Sequence, residues 1–150
     1  MKKIIPPICI SLFLAGNALA QNVSEKKAVI DVAQQFFDTL ENGDSLTFFS
    51  LFLQDAFIYY VSEEKDSVRT SSRSAFKTRF SPDRIIKERM KDTGISVQVH
   101  ERIAMAWIPY DLWINDVYSH CGVDVFTLLN TISGWKIASL AFSMEKQNCK

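Results

Sequence analysis

The sequence holds only two histidines, His100 and His120, and three cysteines, with no Cys-x-x-Cys or His-x-x-x-His spacing. A metal centre is therefore not expected, because such sites draw on ligands of that kind at close spacing. No serine stands in a nucleophile-elbow context, which removes a Ser-His-Asp hydrolase. There is no internal repeat, linker or low-complexity stretch to divide the chain. There is also no basic tract, so nucleic acid is not an expected partner.

What is present begins with an export signal. Lys2 and Lys3 form a basic start, Ile4 to Leu14 a short apolar core, and Ala18-Leu19-Ala20 a small-x-small cleavage site. Residues 1–20 thus read as a signal peptide, with the mature chain starting at Gln21 and secreted or periplasmic. The apolar run is too short for a membrane anchor. Removing Lys2 and Lys3 from 17 bases leaves 15 against 17 acids, a balance of about −2. The remaining 21–150 make one domain, able to bury roughly two-thirds of its unfolded surface.

The densest apolar stretch runs from Ile103 to Ser143. Turn signals at Asn115-Asp116 and Ser133-Gly134 cut it into three runs, which predicts an antiparallel meander. A two-residue turn at Asn115-Asp116 sets Ile114 against Val117 and Trp113 against Tyr118. Continued without interruption, that register pairs Asp111 with His120, Pro109 with Gly122 and Trp107 with Asp124. One face then carries Trp107, Asp111, His120, Asp124 and Phe126, and the other Tyr110, Cys121, Val123 and Val125. Pro109 cannot donate to a ladder, and Gly122 opposite it has no side chain, so a bulge or bend is expected there.

Upstream, Val29, Val32, Ala33, Phe36, Phe37 and Leu40 follow helical spacing. A helix is expected from Ser24, as N-cap, to Leu40, ending at Asn42-Gly43. Asp44 or Ser45 caps a second helix through Leu53. Ala56 to Val61 suits a strand, Glu63 to Ser67 a charged loop, and Ser71 or Ser72 to Arg79 a third short helix. Strands follow within Arg84 to Met90 and over Ile95 to Val99, with a turn at His100 to Arg102. Helices first and antiparallel strands afterwards argue an α+β fold, with helices over one face of a curved sheet.

The chain resembles the nuclear transport factor 2-like superfamily of cystatin-like α+β cones, in particular the exported proteins labelled SnoaL-like or putative lumazine-binding. The resemblance runs from about Ala28 to Cys149. It is carried by Val29 through Asp44, Glu88-Arg89-Met90, the run Ala106 to Asp111 (AWIPYD), the run Ser119 to Phe126 (SHCGVDVF), and Gly134-Trp135-Lys136-Ile137. It implies a cone with a pocket between helices and sheet, often dimerising through the outer sheet face. Members include isomerases, dehydratases and cyclases as well as proteins without catalysis.

The residue reading offers candidate chemistry. His120 facing Asp111 could form an acid–base pair, the carboxylate raising the imidazole pKa; the alternative is a structural hydrogen bond. Asp124 beside Trp107 and Phe126 could be a pocket carboxylate of raised pKa, or a buried Asp bonded to backbone or to Arg102. Tyr59 and Tyr60 lie on opposite faces, so only one points inward. Cys121 and Cys149 are the two cysteines left after export, which predicts a disulfide, against a reactive thiol at Cys121. Three functions remain open. The first is a small-molecule-binding protein with a pocket of Phe36, Tyr60, Trp107, His120, Asp124 and Phe126. The second is an isomerase, dehydratase or cyclase using Asp124 or His120 as general acid or base. The third is an interaction module with its pocket filled. No cofactor is expected.

Overall fold

The computed structural model describes residues 11–64, 67–147 and 149. Residues 1–10 of the expected signal peptide lie outside them, while 11–20 belong to one long helix. That helix, α1 (Ser11–Asn42), does not start at Ser24. Residues 11–23 are rich in Leu and Ala, good helix formers, and hold no proline to stop the helix. Its C-terminal half buries Val29, Ala33, Phe36 and Phe37 against the sheet. Glu25 ties it to the sheet by accepting a hydrogen bond from Trp135 Nε1 at 2.8 Å. Gly43, in the left-handed region at φ 66°, ends it. Asp44 then caps α2 (Ser45–Leu51), its carboxylate accepting from the Thr47 amide at 3.0 Å.

Seven strands follow: β1 (Phe52–Glu64), β2 (Ser67–Ser74), β3 (Ile86–Met90), β4 (Ser96–His100), β5 (Ile103–Ile114), β6 (Val117–Thr131) and β7 (Gly134–Met144). They form one sheet in the order β2-β1-β7-β6-β5-β3, with β4 continuing the β3 side of β5. All pairings are antiparallel except β1 with β7, which are parallel. The α+β expectation holds: two helices pack on a curved, unclosed, mixed sheet. The expected third helix does not form. Residues 67–74 are instead an edge strand paired with β1, and only Ala75–Lys77 makes a turn of 3₁₀ helix. Its run of Ser, Val, Arg and Thr is polar enough for an exposed edge, and polarity alone does not separate strand from helix.

The meander is present, with its second turn one residue earlier, at Ile132-Ser133. Asn115 and Asp116 both take left-handed backbone, at φ 51° and 60°, the turn that matches strand twist. The register agrees with expectation at Ile114–Val117 and Trp113–Tyr118, then slips. Ser119 is an extra residue, so Leu112 faces His120, Asp111 faces Cys121, Tyr110 faces Gly122 and Ile108 faces Asp124. The expected pairs Asp111–His120, Pro109–Gly122 and Trp107–Asp124 are thereby replaced. A one-residue bulge moves every later side chain of β6 onto the face opposite to the one expected relative to β5. Pro109 instead stands where β3 ends and β4 begins, beside Gly94, and its carbonyl accepts from Lys91 N at 2.8 Å. A missing N–H costs least at such a break.

Phe36, Phe37, Phe48, Phe52 and Phe126 meet in a mainly edge-on cluster under the helices, with Phe36 and Phe126 centroids 5.4 Å apart. The outer sheet face stays apolar and open, with Tyr59, Met105, Trp107 and Leu129 all exposed.

Cys121 and Cys149 are bonded, with Cα atoms 5.6 Å apart, closing a loop with a sequence separation of 28. The Cys121 and Glu145 backbones also exchange hydrogen bonds at 3.0 and 2.8 Å, which lays the tail along β6. A loop of that size stabilises by about 3–4 kcal/mol in the chain-entropy model. Reductant should therefore lower the urea midpoint of the wild type and leave Cys149→Ser unchanged; an unmoved wild-type midpoint would contradict the bond.

Candidate functional site

A cavity of about 460 Å³ opens between the helices and the concave face of the sheet. Its walls are built by alternation. Each strand that crosses beneath it sends every second residue inward: Ile58 and Tyr60 from β1, Glu88 from β3, Tyr110 and Leu112 from β5, His120 and Asp124 from β6, and Leu140 and Phe142 from β7. Phe36 and Leu40 of α1 and Phe48 of α2 close it from above.

The residues expected to form a pocket divide. Phe36, Tyr60, His120 and Asp124 line this cavity. Phe126 packs fully buried against Phe36 and Phe37, in the core rather than on the wall. Trp107 and Asp111 lie on the other face of the sheet, because the Ser119 bulge separates them from Asp124 and His120. Trp107 is 45% exposed there and lines an outer groove. Asp111 is engaged by Lys91 Nζ at 3.2 Å and by the donating Tyr118 hydroxyl at 3.2 Å. Neither can take part in the inner site.

At the inner end of the cavity lies a pair that periodicity did not reveal. Glu88 and Asp124 are 5% and 1% exposed, and their carboxyl groups interact across β5. Burial is the larger cause that raises both pKa values, and for Asp124 the negative charge of Glu88 adds to it. Burial therefore keeps Glu88 protonated at neutral pH and raises Asp124 with it, and the two ionise in sequence, not together. In the sequence Glu88 stands among Lys87, Arg89 and Lys91, charges that give no sign of its burial. The signal that could have found it is period two: in β3 only Glu88 is fully buried, with Lys87 and Arg89 turned toward Glu41 of α1.

Tyr110 was expected on the opposite face, and it is instead the central side chain of the site. It is 1% exposed, and its hydroxyl donates to the Ser143 carbonyl at 2.6 Å. To do so it crosses β6 above Gly122, where a Cβ would sit 2.0 Å from the Ser143 oxygen and 2.9 Å from the Tyr110 hydroxyl. Burial and the nearby Glu88 and Asp124 push its pKa up, so it stays a phenol. His120 has its Nδ1 2.9 Å from Ser119 Oγ and an edge-on contact with Tyr110 at 5.8 Å. Burial, then Lys146 and Arg84, lower its pKa. The imidazole is thus neutral near pH 7, the reverse of the raised pKa expected from an Asp111 partner.

Two buried side-chain oxygens among the described residues lack a hydrogen-bond partner, Asp124 Oδ2 and Thr78 Oγ1. Both belong to residues that line this cavity. Unsatisfied buried polar atoms are uncommon, and two of them lining one cavity are what a site for polar ligand groups requires. Among the described residues no group of three or more His, Cys, Asp or Glu side chains is placed to hold a metal ion.

Residues 24–143 match the family described as Putative lumazine-binding. No curated protein matches the sequence. Solved structures share the fold at low identity. An NTF2-like protein with a cystatin-like fold from Novosphingobium aromaticivorans is 11% identical, covering 96% of this chain and 95% of its own, at TM-score 0.61. The beta subunit of a putative aromatic-ring-hydroxylating dioxygenase from the same organism is 12% identical, covering 88% and 95%, at TM-score 0.64. A putative dehydratase from the NTF2-like family of Streptomyces avermitilis is 18% identical, covering 81% and 96%, at TM-score 0.59.

Proposed function

Because the chain belongs to the Putative lumazine-binding family, with the NTF2-like cystatin-like fold, we propose that it is an exported protein whose inner cavity binds a small, largely apolar molecule. The observation that carries this reading is the pair of unpartnered oxygens, Asp124 Oδ2 and Thr78 Oγ1, on the wall of an otherwise aromatic and aliphatic cavity. Such a wall takes the apolar body of a ligand by burial and orients it by a few polar contacts. A volume of about 460 Å³ also weighs against a pocket filled by its own side chains. A second reading, favoured by the Glu88–Asp124 pair, is proton-transfer chemistry of the isomerase, dehydratase or cyclase kind. A carboxyl pair in which Glu88 ionises at about 8 can give a proton and take it back. Neutral His120 on the same wall is an alternative base.

Export after Ala20 and a homodimer through the apolar outer face belong to the same proposal. Native mass spectrometry of the purified protein tests these together. The expected masses are those of a chain beginning at Gln21, two hydrogens light, as a dimer, with a small molecule that Asp124→Asn retains less well. An empty protein whose Asp124→Asn variant merely unfolds would count against the binding reading.

A further inference from the structure

The mouth of the inner cavity is ringed by four cations: Arg73 at the end of β2, Lys77 in the 3₁₀ turn, and Arg79 and Arg84 in the segment leading to β3. None of the four forms an ion pair with a carboxylate among the described residues, whereas Lys27, Lys87, Arg89 and Lys91 all do. Among the described residues the only carboxyl groups lining the cavity are Glu88 and Asp124, both buried, with Glu88 protonated at neutral pH. Arg73 and Arg84 are close enough to repel each other, and Arg73 is only partly exposed. In a chain of zero formal net charge, four unneutralised cations at one opening cost stability unless something compensates them. The unpartnered Thr78 hydroxyl lies between Lys77 and Arg79 in sequence and lines the same cavity.

Resting on the binding reading above, we propose that the ligand is an amphipathic anion: an apolar body in the cavity, with a carboxylate, sulfonate or phosphate held at the mouth by Arg73 and Arg84, assisted by Lys77, Arg79 and Thr78. Guanidinium groups meet such oxyanions with paired N–H donors, and the converging charge draws the anion to the opening. The inner end supplies the opposite preference. The buried carboxyls of Glu88 and Asp124 there accept an uncharged polar group and disfavour a second anion. The cavity therefore fixes the ligand's direction as well as its class.

Two fluorescent probes of similar aromatic bulk separate the charge from the cavity: anionic 8-anilinonaphthalene-1-sulfonate and neutral N-phenyl-1-naphthylamine. The wild type should bind the sulfonate about tenfold or more tighter than the neutral probe, a preference that salt screens. Arg73→Gln/Arg84→Gln should abolish the preference and leave neutral-probe binding unchanged. Lys87→Gln/Arg89→Gln removes the same charge on the far side of β3 and should change neither. Equal affinity for both probes, or an equal loss in the two double variants, overturns the anion site while leaving the cavity reading intact. Failure of both probes to bind a folded wild type overturns both.

Discussion

Glu88→Gln/Asp124→Asn is expected to gain on the wild type in stability as pH rises from about 4.5 to about 8. Burial lifts Glu88 from its ordinary 4.5 to about 8, and lifts Asp124 as well. Across that window the unfolded chain has released these protons while the folded chain still binds them. Stability therefore falls as pH rises, and the pair's full contribution is present only below the unfolded pKa. At 1.36 kcal/mol per unit, Glu88 alone accounts for roughly 4–5 kcal/mol between the two ends of the window. The double variant, with two amides of nearly the same shape, has no such slope. Urea denaturation of both proteins at several pH values measures the difference directly, and the contributions of all other carboxylates cancel in it. Glu88→Gln alone should flatten the slope in part, because Asp124 keeps its burial. A constant difference across pH would mean that the two carboxyls titrate normally and are not the buried pair described.

Gly122→Ala should destabilise the fold by about 3 kcal/mol, at the upper end of overpacking, with a lost buried hydrogen bond included. The new Cβ would lie 2.0 Å from the Ser143 carbonyl oxygen, a backbone atom held in β7 that cannot turn aside. It would also press on the Tyr110 hydroxyl, which donates to that same oxygen. Tyr110→Phe provides the comparison. It removes the donor without adding an atom and leaves a carbonyl unsatisfied, for about 1–2 kcal/mol. In the double variant the two losses should not add, since both break one contact. A Gly122→Ala protein as stable as the wild type would show that β6 and β7 do not approach each other as closely as described.

These two residues also show where sequence reading reached its limit. The hairpin at Asn115-Asp116 was legible because few residue pairs take two left-handed backbones in succession. The register beyond Trp113 was not, because nothing in Tyr118-Ser119-His120 marks the inserted residue, and a single bulge reverses which partners share a face. Asp124 and His120 were thus found as candidates but assigned the wrong company. Tyr110, their actual neighbour, falls on the wrong face in that register, and the charges flanking Glu88 give no sign of its burial. Gly122 was noticed for its missing side chain, yet its use is to let Tyr110 pass over it to Ser143, which depends on three strands being side by side. The helices were easier, since Phe36, Phe37 and Leu40 keep helical period. The Ser71 to Arg79 stretch has no period that distinguishes an exposed edge strand from a short helix.

Glu88 and Asp124 are a buried carboxyl pair lining the inner cavity, and Glu88 stays protonated at neutral pH. Infrared spectroscopy at pH 7 tests it most directly, through the carbonyl stretch of a protonated carboxyl group, recorded with and without N-phenyl-1-naphthylamine. The account predicts such a band in the wild type, its absence from Glu88→Gln/Asp124→Asn, and a shift when the probe fills the cavity. No protonated carboxyl at neutral pH, or a band unmoved by a probe that binds, would contradict it.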